Sequence, residues 1–236
     1  MNNVDLAQRR DWLRAAGIGA AGLVISVPAG AQSKKTPKKE EAEEVSPAED
    51  LMREHGILKR VILIYREAIG RMDANTSVPP DVLHGSANLI RRFVEDYHEK
   101  LEEDYLFPRF RKAGQMVDLV NVLYDQHQKG RILTDRILRN ATSAGLKDAT
   151  KRHDLVDAMR MFNRMYEPHE AREDTILFPA FHKLVSQHEY DALGEDFEKK
   201  ENQLFGGEGF EKNVDEVARL EKALGIYDLA QFTPKV

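Results

Sequence analysis

The chain has 236 residues, 42% hydrophobic and 32% charged, enough for one domain with appendages or two small ones. Its 35 Lys and Arg against 40 Asp and Glu give a formal net charge of −5, so no broad basic field invites nucleic acid. The absence of cysteine excludes disulfides, zinc–thiolate sites, iron–sulfur clusters and cysteine nucleophiles, so any metal must be held by nitrogen and oxygen.

Residues Gln8-Arg9-Arg10-Asp11-Trp12-Leu13-Arg14 precede an apolar run from Ala15 to Val27, then Pro28 and the small triplet Ala29-Gly30-Ala31. The run is too short to span a bilayer as a helix. A charged start, a short apolar middle and an Ala-x-Ala end predict a secretory signal over 1–31, cleaved after Ala31 and leaving no stable membrane span. Paired arginines followed by an acidic residue, an aromatic and leucine resemble a twin-arginine export signal, although Gln8 and Arg14 depart from its usual residues. That resemblance implies the twin-arginine machinery as a partner and a periplasmic or otherwise exported destination. The route carries folded proteins, often with a cofactor already inserted. Residues 32–45, with KKTPKKEEAEE and no apolar anchor, predict a disordered linker.

Ser46-Pro47-Ala48-Glu49 marks the start of a first helix: a cap, a proline at the first helical position and an acid three residues on. Its apolar stripe runs Leu51, His55, Leu58, Ile62, Tyr65, Ile69. A second helix from Asp81 carries Leu83, Ala87, Ile90, Val94, His98, Leu101 and Tyr105, with Glu102 one turn after His98. A third, from about Met116 to Asn140, carries Met116, Val120, Leu123, His127, Gly130, Thr134 and Ile137. The fourth carries Leu155, Met159, Phe162, Tyr166, His169, Glu173, Ile176 and Ala180. These stripes predict an all-α protein, an up-down-up-down four-helix bundle over 46–186. A C-terminal helical extension over 187–236 adds helices near Gln187–Leu204 and Phe210–Leu224. Leu220, Leu224, Ile226, Tyr227 and Leu229 give it an apolar face to dock on the bundle or on a second subunit.

One histidine on an apolar stripe means little, and a lone His-x-x-x-Glu is common on solvated helices. Repetition changes that. His98-x-x-x-Glu102 is followed by Leu106-Phe107-Pro108, and His169-x-x-x-Glu173 by Leu177-Phe178-Pro179 at the same offsets. His55 precedes His98 by 43 residues, and His127 precedes His169 by 42. The chain reads as two related helix hairpins, each offering one His and then a His/Glu pair. In the first hairpin, equal lengths from His55 to the helix end and from Asp81 to His98 put both imidazoles at one height. The second hairpin mismatches by roughly 12 Å at the rise of an α-helix. Residues 141–153 are therefore expected to be irregular or overhanging, with the fourth helix docking from about Asp154.

Four imidazoles and two carboxylates at one level cannot be buried without compensation. A cation supplies it, and this donor set suits iron, manganese or zinc. Glu102 and Glu173, on different helices, can each bridge a metal pair. The histidine majority and the His-x-x-x-Glu order differ from the Glu-x-x-His pattern of ferritin-like bundles.

The full pattern, with LFP after each pair and Gln126-His127-Gln128-Lys129-Gly130-Arg131 on the third helix, resembles the HHE cation-binding branch of the hemerythrin family over roughly residues 50–205. The resemblance implies a hemerythrin-like bundle holding two iron ions, a non-haem di-iron pair bridged by oxide or hydroxide. His55 and His98 would serve one iron, His127 and His169 the other, with Glu102 and Glu173 bridging. Oxygen-carrying hemerythrins have a further histidine four residues after the first on the third helix, where Arg131 stands. Each metal would thus keep an open position. The implied function is binding of dioxygen. The alternatives are an enzyme or sensor acting on peroxide or nitric oxide, an iron-binding or storage protein, or a helical adaptor with incidental histidines. No nucleotide loop or catalytic triad stands out.

Other residues are assigned away from the metals. Tyr124 and Tyr166 are expected as hydrogen-bond donors or core, Glu99 and Glu170 as solvated, and His84, His153, His182 and His188 as outside the cluster. Gly130 admits either a small ligand or a close helix contact. Pro168 predicts a kink before His169, and the LFP phenylalanines predict a water-excluding core.

Overall fold

The computed structural model describes residues 45–236. The segments expected to be an export signal and a linker, up to Glu44, lie outside the described residues. Ser46 caps α1 (Pro47–Asp73), its Oγ accepting from the Glu49 N–H at 3.3 Å. After a short turn α2 runs continuously over 80–113, and α3 is Val117–Asn140. The short α4 (Ser143–Lys147) leads into α5, continuous over 149–184. Helices α1, α2, α3 and α5 pack in a ring around one apolar core, with Tyr65, Phe93, Phe110, Phe162 and Phe181 fully buried. Among the described residues there is no strand, and no helix is long and apolar enough to cross a membrane.

The second hairpin resolves its length mismatch with structure. Thr142 caps α4 and Asp148 caps α5, accepting from the Thr150 and Lys151 N–H groups at 2.9 and 3.1 Å. So α5 begins at Ala149, ahead of the expected Asp154, and its first turn overhangs until Leu155 enters the core. Met116 is not a stripe residue. It sits before α3 with φ 51°, exposed, where the chain doubles back after Gly114.

Three π-helical stretches interrupt the rods, at Ile90–His98 and Glu102–Leu106 in α2 and Glu173–Leu177 in α5. In the last two, the N–H of Phe107 reaches the Glu102 carbonyl and that of Phe178 reaches the Glu173 carbonyl, five residues back. The prolines that follow explain both. Pro108 and Pro179 have no N–H for the carbonyl one turn behind, and their rings crowd it, so the helix widens. One residue is thereby inserted into the stripe. Leu106 and Leu177 are fully buried, whereas Tyr105 is only partly covered and the expected core residue Ile176 is 44% exposed.

The extension packs on the bundle. Helix α6 (Gln187–Phe205) buries Tyr190, Leu193 and Phe197, and α7 (Gly209–Leu224) lies against α1 and α2 through Val217, Leu220 and Leu224. Ile226 joins that face, but Tyr227 and Leu229 do not; both are exposed. Arg60 and Arg71 of α1 fix the dock by binding Glu221 and the Leu224 carbonyl.

Gly130 allows α3 and α5 to approach. A Cβ built there would lie 1.9 Å from the Tyr166 hydroxyl, so the close-contact reading holds and the space is occupied by a phenol. Gly130→Ala gains intrinsic helix propensity of about 1 kcal/mol, but overpacking a locked side chain costs about 1–3 kcal/mol. A net loss of stability in urea unfolding is expected, smaller in a Tyr166→Phe background. An unchanged midpoint would show that the helices part freely here.

Candidate metal centre

All six residues singled out on the stripes converge. His55 Nε2 lies 3.0 Å from His98 Nε2, and His127 Nε2 lies 3.2 Å from His169 Nε2. The carboxylates lie between these pairs, each dividing its oxygens. Glu173 turns Oε2 to His55 (3.4 Å) and Oε1 to His169 (3.0 Å). Glu102 turns Oε1 to His98 (3.9 Å) and Oε2 to His127 (3.3 Å). All six are buried, the most exposed at 3%.

The outward nitrogen of every ring is already engaged. His55 Nδ1 meets Asp174 at 2.7 Å, His98 Nδ1 meets Glu54 at 2.7 Å, His127 Nδ1 meets Glu103 at 3.2 Å, and His169 Nδ1 meets Gln126 Oε1 at 2.8 Å. A neutral imidazole that donates from Nδ1 presents a lone pair at Nε2. Each Nε2 pair thus aims two lone pairs at one point, with carboxylate oxygens beside it. Neither oxygen of Glu102 or Glu173 has an aligned hydrogen-bond donor, although both side chains are fully buried. Buried acceptors turned on one another repel unless a positive charge stands among them. The donor set fits a hard or borderline cation held by nitrogen and oxygen.

On the bare side chains a proton does part of that work. Burial disfavours charge on His55, but its contacts with Asp174 and Glu173 outweigh burial and raise it to about 9. Burial and then the neighbouring His55 push His98 well down. Burial opposes ionisation of Glu173 too, yet His169 and His55 beside it hold its carboxyl below the ordinary range. Glu102, buried and facing Glu173, is pushed up. Glu54 rises to about 8, chiefly through burial.

The ring partners were not among the residues predicted. Their signal was adjacency: Glu54 and Gln126 precede His55 and His127, while Glu103 and Asp174 follow Glu102 and Glu173. Asp174 and Glu103 reach the opposite hairpin, as do the LFP rings, whereas Glu54 and Gln126 serve the second histidine of their own hairpin. Phe178 stacks on His55 at 5.6 Å between centroids and Phe107 on His127 at 5.4 Å, completing the dry wall expected of them.

Two expectations fail in the surroundings. Glu99 and Glu170 are not solvated but 1% and 3% exposed. Glu99 meets Arg131 at 2.8 Å and accepts from the Tyr166 hydroxyl at 2.7 Å; Glu170 lies 3.9 Å from Lys59. They turn inward because each has a cation one helix away. Tyr124 is neither core nor a donor to the site. It is exposed, with the Arg111 guanidinium over its ring at 5.4 Å. Arg131 binds Glu103 as well as Glu99, both at 2.8 Å, and so closes the cluster on that side without offering a ligand. His84, His153, His182 and His188 are exposed and apart, as expected, and Pro168 stands inside an unbroken α-helical stretch of α5.

The sequence family described as Hemerythrin HHE cation binding domain matches residues 46–147 and again 118–225, the two matches overlapping along α3. Relatives described as uncharacterized proteins of Mycobacterium tuberculosis and Mycobacterium bovis are each 46% identical over 233 residues, covering 96% of this chain and 91% of theirs. No solved structure matches the chain.

Proposed function

The chain belongs to the hemerythrin HHE cation-binding domain family, and on that footing we propose that it holds two iron ions and binds dioxygen between its two histidine pairs. His55 and His98 hold one ion, His127 and His169 the other, and Glu102 and Glu173 span both. A ferrous pair supplies reversible binding and redox chemistry toward small diatomic ligands. The observation that carries this reading is the division of both carboxylates between the two Nε2 pairs, at 3.0–3.4 Å for three contacts and 3.9 Å for the fourth.

The protein's own part is to shape and dry the site. Asp174, Glu54, Glu103 and Gln126 accept the ring N–H groups, fixing tautomer and ring angle. Phe107 and Phe178, fully buried against His127 and His55, cover the cluster with apolar surface on one side. Arg131, where a fifth histidine would stand in oxygen carriers, is held by Glu99 and Glu103. The two ligand sets are therefore alike in number, which favours a second reading, turnover of peroxide or nitric oxide at two open positions.

The leader reading adds export in the folded, loaded state. One preparation tests the set. The full chain, expressed and recovered from the exported fraction, should begin at Gln32, carry about two irons and show a charge-transfer band that responds to oxygen and azide. His98→Ala combined with His169→Ala should abolish iron and colour together. A colourless, metal-free native chain would overturn the reading, and rapid consumption of peroxide or nitric oxide without a stable oxygen adduct would select the second.

A further inference from the structure

The two hairpins superimpose residue types almost throughout the site, so the positions where they differ carry information. Lys59 stands four residues after His55 as Arg131 does after His127. Lys59 reaches Asp174 and Glu170, and Arg131 reaches Glu103 and Glu99. Glu103 and Asp174 correspond, both accepting from the first histidine of the opposite hairpin. At one pair the correspondence breaks. His98 donates to Glu54, a carboxylate 2% exposed, whereas His169 donates to Gln126, a neutral amide.

The cationic neighbours widen the difference. Glu103 is bound by Arg131, whose side chain is 17% exposed, and by Lys100. Among the described residues Asp174 has, besides the His55 ring, the ammonium of Lys59, which is 51% exposed and whose charge water screens. The His55/His98 pair thus has two acidic side chains behind its rings, Asp174 beside the screened ammonium of Lys59 and the buried Glu54 within the field of Arg53. The His127/His169 pair has one carboxylate, already shared between two basic groups, and an amide. A carboxylate behind a ligating imidazole raises its basicity and its hold on a cation more than an amide does, and removing such partners typically changes affinity about 10–100-fold.

We propose that the two metal positions are unequal, the cation at His55 and His98 being held tightly and the cation at His127 and His169 being the exchangeable one, with Glu54 and Gln126 as the positioning residues that set the difference. This rests on the reading of the cluster as a two-metal site. It makes one protein able to keep one ion while passing or exchanging the other.

Zinc ion titrated into the metal-free chain against a chromophoric chelator should load in two steps separated at least tenfold in dissociation constant. His169→Ala should keep the tight step and lose the weak one; His98→Ala should do the reverse. Gln126→Glu should tighten the second step and narrow the gap about tenfold. Glu54→Gln, a change of one atom, should weaken the first step and narrow it from the other side. Circular dichroism confirms that each variant is folded, and the surface-proximal Gln126→Glu serves if Glu54→Gln is not. Two equal steps in the native chain, or a gap that neither substitution at 54 or 126 moves, would overturn the inference while leaving the two-metal reading intact. A chain that takes up no zinc and no iron would overturn both.

Discussion

Arg131→Met is expected to lower the unfolding free energy by about 3–5 kcal/mol, the loss typical when one partner of a buried ion pair is removed. Arg131 lies 2.8 Å from both Glu99 and Glu103, whose side chains are 1% and 6% exposed. Without the guanidinium, Glu99 keeps only the Tyr166 hydroxyl, and its carboxyl is already pushed up by burial. Glu103 would retain Lys100 and His127. Lys59→Met is the internal control. It occupies the equivalent position in the first hairpin, but at 51% exposure its pairs belong to the weak surface class, contributing up to about 1 kcal/mol. Denaturant unfolding followed by circular dichroism reads both. Adding Glu99→Gln to Arg131→Met should recover part of the loss, because the stranded charge goes with it. Equal small effects from Arg131→Met and Lys59→Met would mean that Glu99 is neutral in the folded chain and needs no cation.

The comparison of these two cations also shows what the amino-acid sequence made legible. His55, His98, His127 and His169 stood out because polar residues broke four apolar stripes at repeated offsets, and spacing along a helix fixes which side chains share a face. Their convergence followed from topology. The acceptors behind the rings did not follow, because Glu54 and Gln126 sit about 100° around the helix from the ligand stripe, where a polar residue ordinarily meets water. Only a neighbouring helix turns that face into interior. Glu99 and Glu170 were misplaced for the same reason. The LFP repeat is visible as a motif, but apolar periodicity alone does not carry the effect of its proline on the backbone. Pro108 and Pro179 widen the helix by a residue, so a strict 3.6-residue count places Ile176 inside and Leu177 outside, the reverse of what is found. That widening starts at Glu102 and at Glu173, the two bridging candidates. The same proline that disturbs the stripe therefore shapes the backbone from which each carboxylate reaches inward.

Stripping metal from the native chain should lower its thermal midpoint by roughly 8–16 °C. A cation at a thousandfold excess over its dissociation constant stabilises the folded state by about 4 kcal/mol, and each kcal/mol moves the midpoint of a domain this size by about 2–4 °C. The shift should appear with a strong chelator and reverse on adding ferrous iron or zinc. In His98→Ala combined with His169→Ala it should vanish, because each Nε2 pair has lost a member. The double variant should melt at or below the chelated native chain, because two buried imidazoles leave cavities. Glu173 also loses its contact with His169, leaving the proton on His55 as its remaining positive neighbour. A native midpoint indifferent to the chelator would require some other positive charge to hold Glu102 and Glu173 together. The proton raised on His55 is the one available for that, so the cluster would then be a buried ion-pair network rather than a metal centre.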